Sequence, residues 1–249
     1  MQTLHFYGHV LPIGLILSFP DAEPITWASE DGTLVESYMV TCKLSVIEVA
    51  SFVSLIENDA HIDRIRNRAL DLARARIEIY AFRVGQGIGM SLDHMIDQNG
   101  KKHLLIGHIP RLEETIECRV TEEEIYRLLA ADQSLLMAFN DLISGITFPF
   151  YAHVNCARAI DAIRFVLAPH LKEKAGWKFM QESLNIEEPY LVSLSHLSRE
   201  GRHGNRAWID PSLTEKAIFR AWEVMNRFLY FKTHGETTLD SVEFPLLKL

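Results

Sequence analysis

Cysteine is scarce and scattered. Cys42, Cys118 and Cys156 stand far apart with no C-x-x-C pair, which excludes a zinc knuckle and a disulfide framework. Free thiols in a reducing compartment are expected instead. Positive charge is also in deficit. Against 33 Asp and Glu there are 25 Lys and Arg, a formal net charge of -8 with pI near 5.8. That balance excludes a general nucleic-acid coat protein, while leaving room for a local basic site. Long apolar runs are missing: Val10 to Phe19 is short, contains Pro12, and reads as a buried strand. The start Met1-Gln2-Thr3-Leu4-His5-Phe6 lacks the basic opening of a signal peptide, so a cytoplasmic chain with no membrane partner is expected.

Metal and nucleotide signatures are absent too. The chain has 11 histidines, yet no two stand four apart on a helix with a glutamate between, and none lies beside a cysteine. Neither a metal site nor a cofactor is expected. His94, His103 and His108 flank a hairpin whose register the sequence does not fix. Gly85-x-Gly87-x-Gly89 follows a helix and opens a strand, the reverse of a dinucleotide fingerprint, and reads as a helix C-cap and connector.

What is present divides the chain. Residues 4–53 are strand-like, with a turn at Ser29-Glu30-Asp31-Gly32. From Thr33 to Val49 apolar residues alternate, putting Tyr38, Val40, Cys42, Leu44 and Val46 on one face. A helix opens at Asn58-Asp59, with Asp59 as N-cap, and carries Ile62, Ile65, Ala69, Leu72 and Ile79 at three- and four-residue spacing. Its arginines, Arg64, Arg66, Arg68, Arg74, Arg76 and Arg83, interleave with Asp59, Asp63, Asp71 and Glu78. They read as a self-paired, solvated face rather than a phosphate strip. Strands over 88–96 and 101–109 follow, joined by Asp97-Gln98-Asn99-Gly100.

Thr121-Glu122-Glu123-Glu124 is a capping box and opens a helical half, with helices expected at 122–143, 150–167, 173–184, 188–200 and 212–232. The fold class is therefore α+β. Residues 1–120 form an α+β domain (strands, one long helix, a hairpin), 121–233 an all-α bundle, and 234–249 a C-terminal tail that docks on the body or on a partner.

The densest chemistry is Ser198-Arg199-Glu200-Gly201-Arg202-His203-Gly204-Asn205. If the helix continues through Gly201, Arg199 and His203 share a face at i and i+4, with His196 one turn earlier, and Arg202 pairs with Arg206 on the adjacent face. Arginine presents a planar fork that suits phosphate, and histidine exchanges protons near neutral pH. Arg199, Arg202 and His203 are thus the candidate catalytic residues. The plainer alternative is a basic helix terminus favoured by the macrodipole, with Gly204 as C′.

Residues 150–232 resemble the helical bundle of HEPN proteins, and within them the domain shared with MauJ-type, methylamine-utilisation-associated proteins. The resemblance rests on Cys156-Ala157-Arg158-Ala159-Ile160-Asp161-Ala162-Ile163-Arg164, on Trp177-Lys178-Phe179-Met180 with Leu184-Asn185-Ile186, and on Ser198 to Gly204. It implies engagement of RNA or a nucleotide, and metal-independent RNA cleavage by an Arg and a His placed across a homodimer interface. The family signature is an Arg, four to six residues, then a His. Here Arg199 and His203 are separated by Glu200, Gly201 and Arg202, one residue short, and acidic Glu200 stands where a small polar residue is usual. These departures favour the alternative, a non-enzymatic accessory or interaction protein whose bundle serves dimerisation or docking.

Overall fold

The alternation in the first residues becomes an antiparallel sheet. The computed structural model describes residues 1–21, 23–29, 32–105, 112, 117–202 and 211–249. The chain divides into two compact units, Met1–Ile106 and Gly107–Leu249, a sheet with a helix followed by a helical unit, so the fold is α+β.

In the first unit, β1 (Gln2–Leu11), β2 (Ile25–Ala28), β3 (Val35–Lys43), β4 (Val46–Val53), β5 (Gly89–Ile96) and β6 (Lys102–Leu104) are ordered β2-β3-β4-β1-β5-β6. In β1, Leu4, Phe6 and Val10 are buried while His5, Tyr7 and His9 point to the other face. Gly8 sits where the β1–β5 register shifts, and an added Cβ would meet the Ser91 carbonyl oxygen at 1.8 Å. Only glycine fits that close approach.

The alternation expected to run unbroken from Thr33 to Val49 is instead two strands. Leu44 and Ser45 turn the chain with φ of 50° and 65°, and Leu44 is 74% exposed rather than on the buried face. No Asn or Gly announces this turn. Tertiary bonds hold it: Ser45 donates its N–H to the Leu17 carbonyl (2.7 Å), accepts from the Val10 N–H (2.9 Å), and its Oγ accepts from the Leu17 N–H (2.8 Å). The run Val10–Phe19 is likewise not one strand. β1 ends at Leu11, a turn follows, and Ile13 and Ile16 are exposed while Leu17 is buried.

Helix α1 (Asp59–Val84) buries Ile65, Ala69, Ala73 and Ile77 at four-residue spacing in the apolar cluster formed with the sheet. Its N-cap is Asn58, not Asp59: Asn58 is extended (φ -166°) and its Oδ1 accepts from the His61 N–H at 3.0 Å. Gly85 closes the helix at φ 64°. The second hairpin strand is confined to Lys102–Leu104, and 106–110 lie outside the described residues.

The second unit comprises α2 (Glu122–Ala131), α3 (Gln133–Thr147), a short 3₁₀ turn (Pro149–Tyr151), α4 (Ala152–Leu167), α5 (Glu173–Leu184), α6 (Glu188–Arg202) and α7 (Pro211–Thr233). The capping box forms: Thr121 Oγ1 accepts from the Glu124 N–H (3.4 Å), and Glu124 Oε2 accepts from the Thr121 N–H (3.0 Å). The helix expected over 122–143 is split at Asp132, whose carboxylate accepts from the N–H groups of Ser134 (2.8 Å) and Leu135 (3.1 Å) and so starts a second helix. Helix α4 buries Ala152, Cys156, Ala159, Ile160 and Ile163, and touches α3, α6 and α7. Its small residues permit that central position.

The tail docks on its own unit. Leu239 and Phe244 are buried in the bundle core, and Leu247 forms a parallel bridge with Ile186. Arg227, 3% exposed, holds it. The guanidinium donates to the carbonyls of Leu184 (3.0 Å), Asn185 (3.0 Å) and Pro245 (2.7 Å) and pairs with Glu223 (3.0 Å).

Candidate functional site

Helix α6 carries the basic cluster, and its period decides what that cluster faces. Leu191, Leu194 and Ser198 are buried against the bundle, so Val192, His196 and Arg199 fall on the solvent side. Ser198 donates its Oγ hydrogen to the Ser195 carbonyl at 2.8 Å. The helix extends through Gly201 to Arg202, as the Arg199 spacing argument required. Arg202 is its last residue; the Arg202 side chain and all of His203 and Gly204 lie outside the described residues. Arg220 of α7 secures the helix from behind, donating to Ser193 Oγ (2.7 Å) and stacking over Tyr190 (5.5 Å).

Arg199 stands apart from most other arginines. Arg64 pairs with Glu36, Arg66 with Asp63, Arg74 with Glu78, Arg119 with Glu243, Arg127 with Glu123, Arg158 with Asp141 and Arg227 with Glu223. Arg68 lies over Trp27 and Arg164 over Trp177, while Arg76 donates to the Pro20 carbonyl. Among the described residues, Arg199 and Arg83 are exposed with no such partner. Arginine keeps its charge at any pH a protein meets, so Arg199 offers an unspent fork of donors in the last turn of a helix. The arginines of α1 are, by contrast, largely committed to local acids and rings, the self-paired face read from the sequence.

His94 and His103 of the hairpin do not converge. His94 pairs with Leu104 and Met95 with His103, so His94 and His103 project to opposite faces, and His108 lies outside the described residues. Among the described residues no group of three or more His, Cys, Asp or Glu side chains is arranged to hold a metal ion. His94 instead stacks on Tyr7 (5.1 Å), beside two imidazole–carboxylate pairs: His5 Nδ1 with Glu48 (2.9 Å) and His9 Nδ1 with Asp93 (2.8 Å).

One titratable cluster joins residues far apart in the sequence. Glu36 of β3 is 5% exposed and His61 of α1 is 4% exposed. Glu36 accepts from the Tyr38 hydroxyl (2.7 Å), from His61 Nε2 (3.1 Å) and from Arg64 (3.2 Å). Burial opposes ionisation of Glu36, but the hydrogen bonds from Tyr38 and His61 and the fields of Arg64 and Arg68 outweigh it and hold its carboxyl below the usual range. Burial and the Glu36 charge push the Tyr38 hydroxyl far up, so it stays a donor. His61 and Arg64 lie 25 and 28 residues from Glu36 in the chain, and they tie the first turns of α1 to the sheet.

The cysteines differ sharply: Cys42 and Cys156 are buried, Cys118 exposed, and none is bonded to another. Burial, with the nearby Asp141 charge, pushes the Cys156 thiol up to about 12.

Among the described residues no helix is long and apolar enough to cross a membrane. No curated protein and no solved structure matches the chain. Residues 122–233 match a family model described as the C-terminal domain of a domain of unknown function (DUF8168), a similarity that starts one residue after the Thr121 cap and ends with the last residue of α7.

Proposed function

We propose that the C-terminal unit is a HEPN-like module that engages RNA or nucleotide phosphate through Arg199, Arg202 and His203, and cleaves RNA without a metal where two copies meet. Arg199 carries the reading: an exposed arginine with no partner among the described residues, on a face shared with His196 and held by a helix buried along its other side. In a chain of net charge -8, a cation left unpaired is available to an outside anion. Three free thiols fit a cytoplasmic setting.

The chemistry balances with these side chains alone. The ribose 2′-oxygen attacks phosphorus and the bond to the 5′-oxygen breaks, giving a cyclic phosphate and a free hydroxyl. Arg199 and Arg202 stabilise the charge that builds on the non-bridging oxygens. His203, as general acid or base, carries the proton between the attacking and leaving oxygens. A homodimer supplies two such clusters.

Fluorescence anisotropy with labelled single-stranded RNA, and cleavage assays in EDTA, test this. Arg199→Ala and Arg202→Ala each weaken RNA binding about tenfold, the loss of one charge-assisted contact. His203→Ala leaves binding largely intact and lowers cleavage by about a hundredfold or more. Glu200, directly after Arg199, and the short Arg199–His203 spacing favour the second reading, an accessory protein that uses the bundle for dimerisation or docking. That reading stands if wild type binds no RNA, the variants change only the melting temperature, and light scattering still shows a dimer.

A further inference from the structure

At the end of the sheet away from the Leu44–Ser45 turn lies a cleft of about 440 Å³, wholly within the first unit. That volume is within the range of small-molecule sites. Leu4 of β1, Ile62 of α1 and Met95 of β5 give it an apolar floor. Asp63, Asp97 and His103 stand on its rim, and no Lys or Arg lines it among the described residues.

The rim is rich in acceptors. Asp97 accepts from His103 Nε2 (2.9 Å) and from the N–H groups of Asn99 (2.9 Å) and Lys101 (3.0 Å). The His103 bond, then those backbone donors, hold the Asp97 carboxyl below its usual range. An ionised Asp97 only accepts, so the His103 Nε2–H donates to it. Asp63 faces Arg66 through one oxygen (3.1 Å), which leaves lone pairs on the other. The Gln2 carbonyl oxygen accepts from the Ile56 N–H (2.7 Å), which leaves it one lone pair beside its NH₂ group.

We propose that this cleft binds a small organic amine with an apolar body, its ammonium facing Asp63 and Asp97 and its hydrocarbon lying on Leu4, Ile62 and Met95. At about 30 Å³ for each water-sized group, 440 Å³ gives room for roughly fifteen heavy atoms. The site is independent of the RNA reading of the second unit.

Isothermal titration and thermal-shift measurements on the full chain, with phenethylamine and 3-phenylpropionate as probes of like shape and opposite charge, test the assignment. The amine binds with Kd below about 1 mM, and the carboxylate at least about tenfold more weakly. Asp63→Asn weakens the amine severalfold. Gln98→Trp, at the exposed turn beside the cleft, blocks it while the far-UV circular dichroism stays that of wild type. Equal binding of the two probes, no amine binding at about 10 mM, or amine binding that survives Gln98→Trp overturns the proposal.

Discussion

Replacing Glu36 with alanine removes the acceptor that three side chains share, and its cost can be worked from the structure. Tyr38 is 1% exposed and His61 4%, so the Tyr38 hydroxyl and the His61 Nε2–H lose their partner where water has little access. Each buried donor left unsatisfied costs about 1–3 kcal/mol. Arg64, about a third exposed, recovers solvent and adds little. The expected loss is about 2–6 kcal/mol, a large fraction of a domain's roughly 5–15 kcal/mol. Because the chain has two units, hydrogen exchange at the amides of 61–65, read by mass spectrometry, reports it better than a single melting curve. Acid gives an independent check. The folded-state pKa of Glu36 lies below its unfolded value, so its contribution is full above the unfolded pKa, near 4.5, and fades as pH falls through the folded pKa. Protection of 61–65 in wild type therefore declines below about pH 4.5, while Glu36→Ala lacks this step. If the alanine variant protects these amides within about 0.5 kcal/mol of wild type, the cluster does not hold α1 to the sheet.

Other outcomes follow from features outside that cluster. Arg227→Met leaves three carbonyls and Glu223 without their donor; it destabilises the second unit by about 3–5 kcal/mol and exposes the amides of Leu239 and Leu247 to exchange, and unchanged protection there would refute the clamp. Gly8→Ala drives a methyl into the Ser91 carbonyl, so the β1–β5 pairing must shift; a variant as stable as wild type in urea would contradict the register at Gly8. Under native conditions at pH 8, iodoacetamide labels Cys118 well before Cys42 and Cys156, because one is exposed and two are buried; peptide mapping that finds Cys156 first would be incompatible with its packing.

Features set by neighbours in the chain were the legible ones. The Thr121–Glu124 box announces α2 because both halves of its hydrogen bonding lie within four residues, and the exposed side of α6 follows from helical period alone. Caps one residue apart are harder: Asn58 and Asp59 offer the same chemistry, and only the backbone angles choose Asn58. The break at Asp132 was hidden because apolar residues recur on both sides of it, Leu128 and Leu129 before and Leu135 and Leu136 after. The turn at Leu44–Ser45 has no local signal, since its partners are Val10 and Leu17. Glu36 illustrates the limit. Alternation alone puts it on the face of Tyr38, Val40 and Cys42, but nothing local shows that the docking of α1 brings His61 and Arg64 to it.

The docked tail has a consequence for the far end of α6. Just before that helix begins, the Leu247 N–H bonds the Asn185 carbonyl (3.0 Å), and the Glu187 N–H bonds the Leu247 carbonyl (2.9 Å). The residues that launch α6 are therefore stitched to residue 247, and Arg199 rides on the same rigid rod three turns further along. Cutting the chain back to Thr233 unpicks that stitch and loosens the helix that carries Arg199. An affinity tag spliced onto Leu249 pulls on the same thread.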